Sequence, residues 1–168
     1  MLARRDEDAT CSFTMTNHSL RWAVSEDLEG ILVLLEAYHQ QENMKRHARE
    51  TLRGVLEDLF ESPRRGKILI AESEGDMVGY ALLVRRYSFE WASEVAVLDE
   101  IFVKGRARER GLGRRMINFC EDYAASEGMP AISLEVSMTN VSAREFYRSV
   151  GFSRIDREIY ARPIDSAR

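Results

Sequence analysis

The sequence predicts an α/β (α+β) fold, a mixed and mostly antiparallel central sheet with helices on both faces. Three observations carry this reading. Two strand-like runs, residues 67–72 and 77–87, are joined by Ser73-Glu74-Gly75-Asp76, a composition suited to a tight hairpin turn. A third run, residues 95–103, is apolar and β-branched and leads through a glycine-bearing segment into a helical pattern. A fourth, residues 131–136, follows that helix and precedes another, so crossovers succeed hairpins along the chain.

The length of 168 residues suits one domain with its own core. The net charge of −4 offers no general attraction to nucleic acid, so none is expected as a partner. Cys11 and Cys120 are the two cysteines, with no C-x-x-C, which excludes a disulfide framework. No apolar run approaches the length of a membrane span and no leader pattern is visible. A cytoplasmic location and no membrane partner are therefore expected. Residues 1–18 are polar and aperiodic and are expected to form a disordered lead, with Met15 as another candidate start; residues 19–168 are expected to form the single domain.

In chain order, residues 20–24 read as a short strand. Ser25 is placed to cap the following helix, whose apolar face is Leu28, Ile31, Leu32, Leu35 and Tyr38. A second helix is expected over residues 43–61, with Met44, Ala48, Leu52, Val55, Leu56 and Leu59 at helical spacing and Pro63 beyond its end. His39 and His47 read as surface histidines without a metal-ligand set. The hairpin strands follow. Residues 87–91, Tyr-Ser-Phe-Glu-Trp, are either a mouth-shaping loop or rings that complete the core. After residues 131–136 comes a helix over 140–150, with Ala143, Phe146, Tyr147 and Val150 on one face and Gly151 as its stop. Residues 152–162 are expected to close the chain as one long or two short strands.

The segment between residues 103 and 114 asks for an anion. A helix start leaves backbone N–H groups without partners, and its dipole favours negative charge. Gly111 and Gly113 permit close approach, and Arg106, Arg108, Arg110, Arg114 and Arg115 surround them. A P-loop would need Lys-Ser or Lys-Thr after the glycines, which is missing. A dinucleotide fingerprint would need a small residue where Met116 stands. The pattern Val103, then Arg108-x-x-Gly111-x-Gly113, resembles the acetyl-CoA signature of the GNAT superfamily of N-acetyltransferases. A second segment, Asn140 followed by Ala143-x-x-Phe146-Tyr147-x-x-x-Gly151-Phe152, is similar to another stretch of that family. The resemblance covers about residues 20–164.

The resemblance implies a GNAT-like sheet with splayed central strands and acetyl-CoA as co-substrate. It implies that the backbone of Ile101, Phe102 and Val103 bonds the pantetheine arm. It implies that Arg108, Glu109, Arg110, Gly111, Leu112, Gly113 and Arg114 hold the pyrophosphate, that Asn140 contacts pantetheine, and that Tyr147 lies beside the sulfur as general acid. A phenol stays protonated at neutral pH and can donate to a leaving thiolate. The amine must arrive neutral, yet an alkylamine is only roughly 0.1% free base at pH 7, so a carboxylate base is needed. Glu100 and Glu135 rank equally for that role, then Asp99. Ribosomal-protein alanine acetyltransferases carry a glutamate spaced like Glu135 from the tyrosine, and diamine acetyltransferases carry an acidic pair like Asp99 and Glu100. Charge inside an apolar strand itself asks for an explanation. Cys120, on an apolar helix face, reads as a core thiol, so direct transfer is expected and no metal. The expected acceptor is a small cationic primary amine; the alternatives are a protein N-terminus or lysine, and a non-catalytic acyl-CoA sensor. Many members of the family pair, so a homodimer is compatible with this reading.

Overall fold

The structure is a computed structural model of the chain, and it describes residues 18–45 and 47–164. The expectation of a lead over residues 1–18 falls outside these, except for His18, which opens the first strand. Strand β1 is His18–Trp22, helix α1 Leu28–Gln41 and helix α2 Arg49–Glu61. Strands β2 (Gly66–Ser73), β3 (Asp76–Ser88) and β4 (Ser93–Val103) follow. Helix α3 is Leu112–Ser126, strand β5 Ile132–Leu134 and helix α4 Val141–Ser149. The chain gathers into two compact units, one reaching Leu134 and one starting at Glu135. Among the described residues, no helix is long and apolar enough to cross a membrane.

The first unit holds a five-stranded sheet in the order β1-β2-β3-β4-β5. The first four strands pair antiparallel; β5 joins β4 in parallel after the α3 crossover. Glu74 (φ 53°) and Gly75 (φ 88°) both take the left-handed region between β2 and β3, the conformation a two-residue hairpin turn needs. Gly79 is required by space. A Cβ there would stand 2.7 Å from the Phe102 carbonyl oxygen across the β3–β4 ladder.

Ile68, Ile70, Tyr80 and Phe102 pack with Leu28, Ile31, Leu32 and Leu34 of α1 and Leu56 of α2 in one core. Each fully buried aliphatic side chain contributes about 1.5–3 kcal/mol. Alternation sends the buried Leu69 and Ala71 to the other face, where α3 covers β1, β2 and β4 with Met116, Ile117, Cys120 and Ala124. Trp22 meets Phe119 and Tyr123 edge-on at that face.

Several expectations are corrected. Residues 43–45, 47 and 48 are not helical. Asn43 (φ 51°) is the left-handed residue just past α1, and the Met44 N–H closes on the His39 carbonyl at 3.0 Å, so this asparagine ends one helix instead of starting the next. Ser25 does not cap α1; its hydroxyl bonds Glu26, while the Asp27 carboxylate accepts the Val24 N–H at 2.8 Å. His39 is buried. The rings of Tyr87, Phe89 and Trp91 are exposed around the β3–β4 turn, so they do not complete the core. Strand β5 is shorter than expected, leaving Glu135 and Val136 outside it. Residues 152–164 form no strand. A run becomes a strand only when a neighbouring edge takes its backbone bonds, and none of the described strands pairs with this one.

Candidate active site

The first unit places the glycine segment at the end of β4. Residues Gly105–Arg110 form a 3-10 turn, Gly111 (φ 69°) reverses the chain, and α3 begins at Leu112. A Cβ at Gly111 would meet nothing within 4 Å, so this glycine answers to backbone conformation, not to a close protein neighbour. Leu112 is fully buried and anchors the start of α3. The first intrahelical bond runs from the Arg115 N–H to the Gly111 carbonyl at 3.1 Å. The amides of Leu112 and Gly113 thus precede any possible acceptor in the helix, the arrangement that suits an oxyanion.

The arginines divide. Arg108 Nε donates to the Val103 carbonyl at 2.8 Å and a terminal nitrogen bonds Gln41 at the end of α1. Its guanidinium lies over the Phe102 ring, 5.9 Å from the centroid. Arg108 therefore ties the turn to β4 and α1. Arg115 donates to the His18 carbonyl at 2.8 Å. Arg114 is exposed in the first turn of α3. The side chains of Arg106, Glu109 and Arg110 lie outside the described residues.

Strand β4 carries the second feature. Leu82 of β3 pairs with Glu100 and Leu83 with Leu98, so Asp99 is an extra residue, a β-bulge. The parallel pairing of β4 with β5 covers Ala96–Leu98 and stops there. Beyond the bulge, Ile101, Phe102 and Val103 pair with β3 on one side only. Among the described residues no strand pairs with their other edge, where the Val103 carbonyl accepts from Arg108 and the backbone groups of Ile101 face away from β3. Consecutive residues of a regular strand point to opposite faces. Here both carboxylates lie close enough to the Tyr80 phenol for their charges to disfavour the phenolate. Asp99 is exposed, and Glu100 is half-buried and accepts a 2.7 Å bond from the Tyr80 hydroxyl. Burial pushes the Glu100 carboxyl above the usual carboxylate range; the Tyr80 bond opposes the rise, the Asp99 charge adds to it, and His39 opposes it. The exposed hairpin rings lie at the opposite end of β4, roughly 20 Å from Glu100 along the strand.

The remaining sequence-derived residues belong to the second unit. Glu135 follows β5 directly and is exposed. Asn140 caps α4, its side-chain oxygen accepting the Ala143 N–H at 3.1 Å. At the other end of α4, Gly151 (φ 106°) sends its N–H to Arg148 at 3.1 Å, and the Phe152 N–H reaches Tyr147 at 3.0 Å. This is a Schellman cap, with the Phe152 ring edge-on to Tyr147 at 5.9 Å. The Tyr-x-x-x-Gly-Phe spacing thus has a local cause.

Residues 28–152 match the acetyltransferase (GNAT) family. The chain belongs to that family. The GNAT chain is 28% identical over 137 residues to an uncharacterized N-acetyltransferase of Bacillus subtilis, covering 80% of this chain and 89% of that one. It is 29% identical over 140 residues to the thialysine N-epsilon-acetyltransferase of Bos taurus, covering 79% and 82%. A solved aminoglycoside N-acetyltransferase in complex with CoA shares the fold at a TM-score of 0.77 and 20% identity, covering 88% of this chain and 95% of that one.

Two features of this GNAT site escape sequence reading. Tyr80 sits in an aliphatic run, and a single tyrosine there carries no mark of a bond to a residue twenty positions away. The bulge leaves one trace, the Asp99-Glu100 pair that breaks an apolar strand.

Proposed function

We propose that the protein transfers the acetyl group of acetyl-CoA directly to a primary amine of a small cationic molecule. The observation that carries this reading is the bulge at Asp99. It lies at two adjacent carboxylates, Asp99 exposed and Glu100 bonded to Tyr80, where β4 and β5 part, on the strand that leads into the Gly111–Gly113 turn. In this proposal the α3 amides and Arg114 bind the pyrophosphate, and the free edge of Ile101–Val103 bonds the pantetheine amides.

Glu100 takes the proton from the incoming ammonium, directly or through a water. Its raised proton affinity suits a base that must also release the proton again. Asp99, exposed beside it, attracts the cation. The amine nitrogen then bonds the thioester carbonyl carbon, the carbon–sulfur bond breaks, and the sulfur keeps the electron pair. Tyr147 supplies the proton to that sulfur, a role supported by its place in the Phe146-Tyr147 segment, and the second proton lost by the nitrogen as the amide forms restores the phenol through solvent. Glu100 is preferred over Glu135 because its environment favours proton exchange. Covalent catalysis through Cys120 is disfavoured: burial pushes its thiol up to about 12, so the nucleophilic thiolate is scarce at neutral pH. The named acceptors of the relatives, thialysine and aminoglycosides, are small amines as well.

Purified protein with acetyl-CoA and a panel of diamines, amino acid derivatives, aminoglycosides and N-terminal peptides tests this, with free thiol as the readout. Thiol release that saturates with a small polyvalent amine is expected. Turnover with peptides alone would replace the acceptor class, and thiol release with no member of the panel would sink the enzymatic reading.

A further inference from the structure

Tyr80 has no part in the family signatures, yet it is among the most completely buried large side chains of the molecule. Its ring stands opposite Phe102 in the β3–β4 register and is held by Tyr38, 6.3 Å away at 83°, and by Phe102, 6.1 Å away at 51°. A phenol fixed on both sides can aim its hydroxyl in few directions. A buried hydroxyl also needs a partner, because leaving it unsatisfied is costly. The partner is Glu100 Oε2 at 2.7 Å, two residue pairs along the ladder and so on the same face. Among the described residues, Glu100 Oε1 has no hydrogen-bond partner.

We infer that Tyr80 is a positioning residue: its hydroxyl holds one oxygen of Glu100, fixing the carboxylate so that the other oxygen is presented to the ammonium of the acceptor. This rests on the reading of Glu100 as the base. The charged and titratable groups that act on Glu100 come from three elements: His39 on α1, Tyr80 on β3 and Asp99 on β4; Tyr38 of α1 stands against the Tyr80 ring. Of these, Tyr80 alone is shown donating a hydrogen bond to the carboxylate. That donor favours the ionised form, so its loss moves the proton affinity upward.

The test is a carbon-13 titration of the glutamate carboxyls, with the Glu100 signal identified by its absence in Glu100→Gln. In folded Tyr80→Phe, which keeps the ring, the Glu100 midpoint should rise by about one pH unit, the scale of one hydrogen bond to a charged group. Replacing all tyrosines by 3-fluorotyrosine makes the phenol a stronger donor and should move the midpoint down. This arm decides the matter if Tyr80→Phe does not fold. A midpoint unchanged in either folded protein overturns the inference. In turnover, the acidic limb of kcat/KM should move with the midpoint in Tyr80→Phe while the high-pH plateau is nearly kept. A uniform loss at every pH would mean that Tyr80 only packs. If Glu100→Gln keeps the acidic limb, the base reading fails instead, whatever the titration shows.

Discussion

Two side chains carry opposite proton duties in the proposed reaction, and their surroundings suit them differently. Tyr147→Phe deletes a donor and keeps the ring against Phe146 and Phe152. Turnover should fall about 10²–10⁴-fold while acetyl-CoA still binds; an unchanged rate with an assigned acceptor would return Tyr147 to a packing role. Glu100→Gln should lower turnover and remove the acidic limb, whereas Glu135→Gln and Asp99→Asn should act mainly on KM. Stability offers an independent reading of Glu100. Burial raises its proton affinity in the folded state, so the ionised carboxylate costs stability once pH rises through its folded pKa. Glu100→Gln should therefore melt higher than the parent at about pH 8, and the gap should close as pH falls below about 4, where the carboxyl becomes protonated in the unfolded as well as the folded state.

At the scale of elements, the same residue type answers to different forces. Gly111 lies at φ 69°, so Gly111→Ala should cost about 1–2 kcal/mol and lower Tm with no ligand present. Gly113 lies within the first turn of α3, where a side chain improves helix propensity. Gly113→Val should leave Tm near the parent value yet weaken acetyl-CoA binding by more than about tenfold, roughly 1.4 kcal/mol. Calorimetric titration checks this, and a folded variant with parent affinity would remove the α3 amides from the coenzyme site. The helix ends show why boundaries were only partly legible. Gly151 and the Ser73–Asp76 turn are local chemistry and stand where expected. Asn43 is also local chemistry, but Met44 and Ala48 keep helical spacing with Leu52 and Val55, and periodicity alone started the second helix too early.

Across the molecule, the first unit is stitched where β1 and β2 meet the start of α1. The two terminal nitrogens of Arg21 reach the two Asp27 oxygens at 2.7 and 2.8 Å, and Arg21 also bonds Glu72 on β2 at 2.6 Å. The guanidinium holds the Asp27 carboxyl below the usual carboxylate range, so its contribution is complete above the unfolded pKa and is lost as pH falls through the folded one. Asp27→Asn should cost about 2 kcal/mol at neutral pH, and the cost should shrink in acid. Urea titrations across pH measure both, and a pH-independent cost would mean that the loss is steric.

What the sequence determined by itself is whatever rests on contacts between near neighbours or on a period repeated along one element. The hairpin turn, the order of strands and helices up to α4, the glycine reversal into α3, the apolar face of α1 and the Tyr147–Phe152 spacing are all of that kind. Tertiary structure decided what depends on a neighbouring strand. The bulge at Asp99 exists only in register with Leu82 and Leu83; the bond from Tyr80 to Glu100 crosses that ladder; and Arg108, whose motif names only a phosphate role, also bonds the Val103 carbonyl and Gln41. Residues 152–162, expected to close the chain as strand, are not one, because a strand is completed by hydrogen bonds to a neighbour, and a stretch of residues does not by itself encode that neighbour.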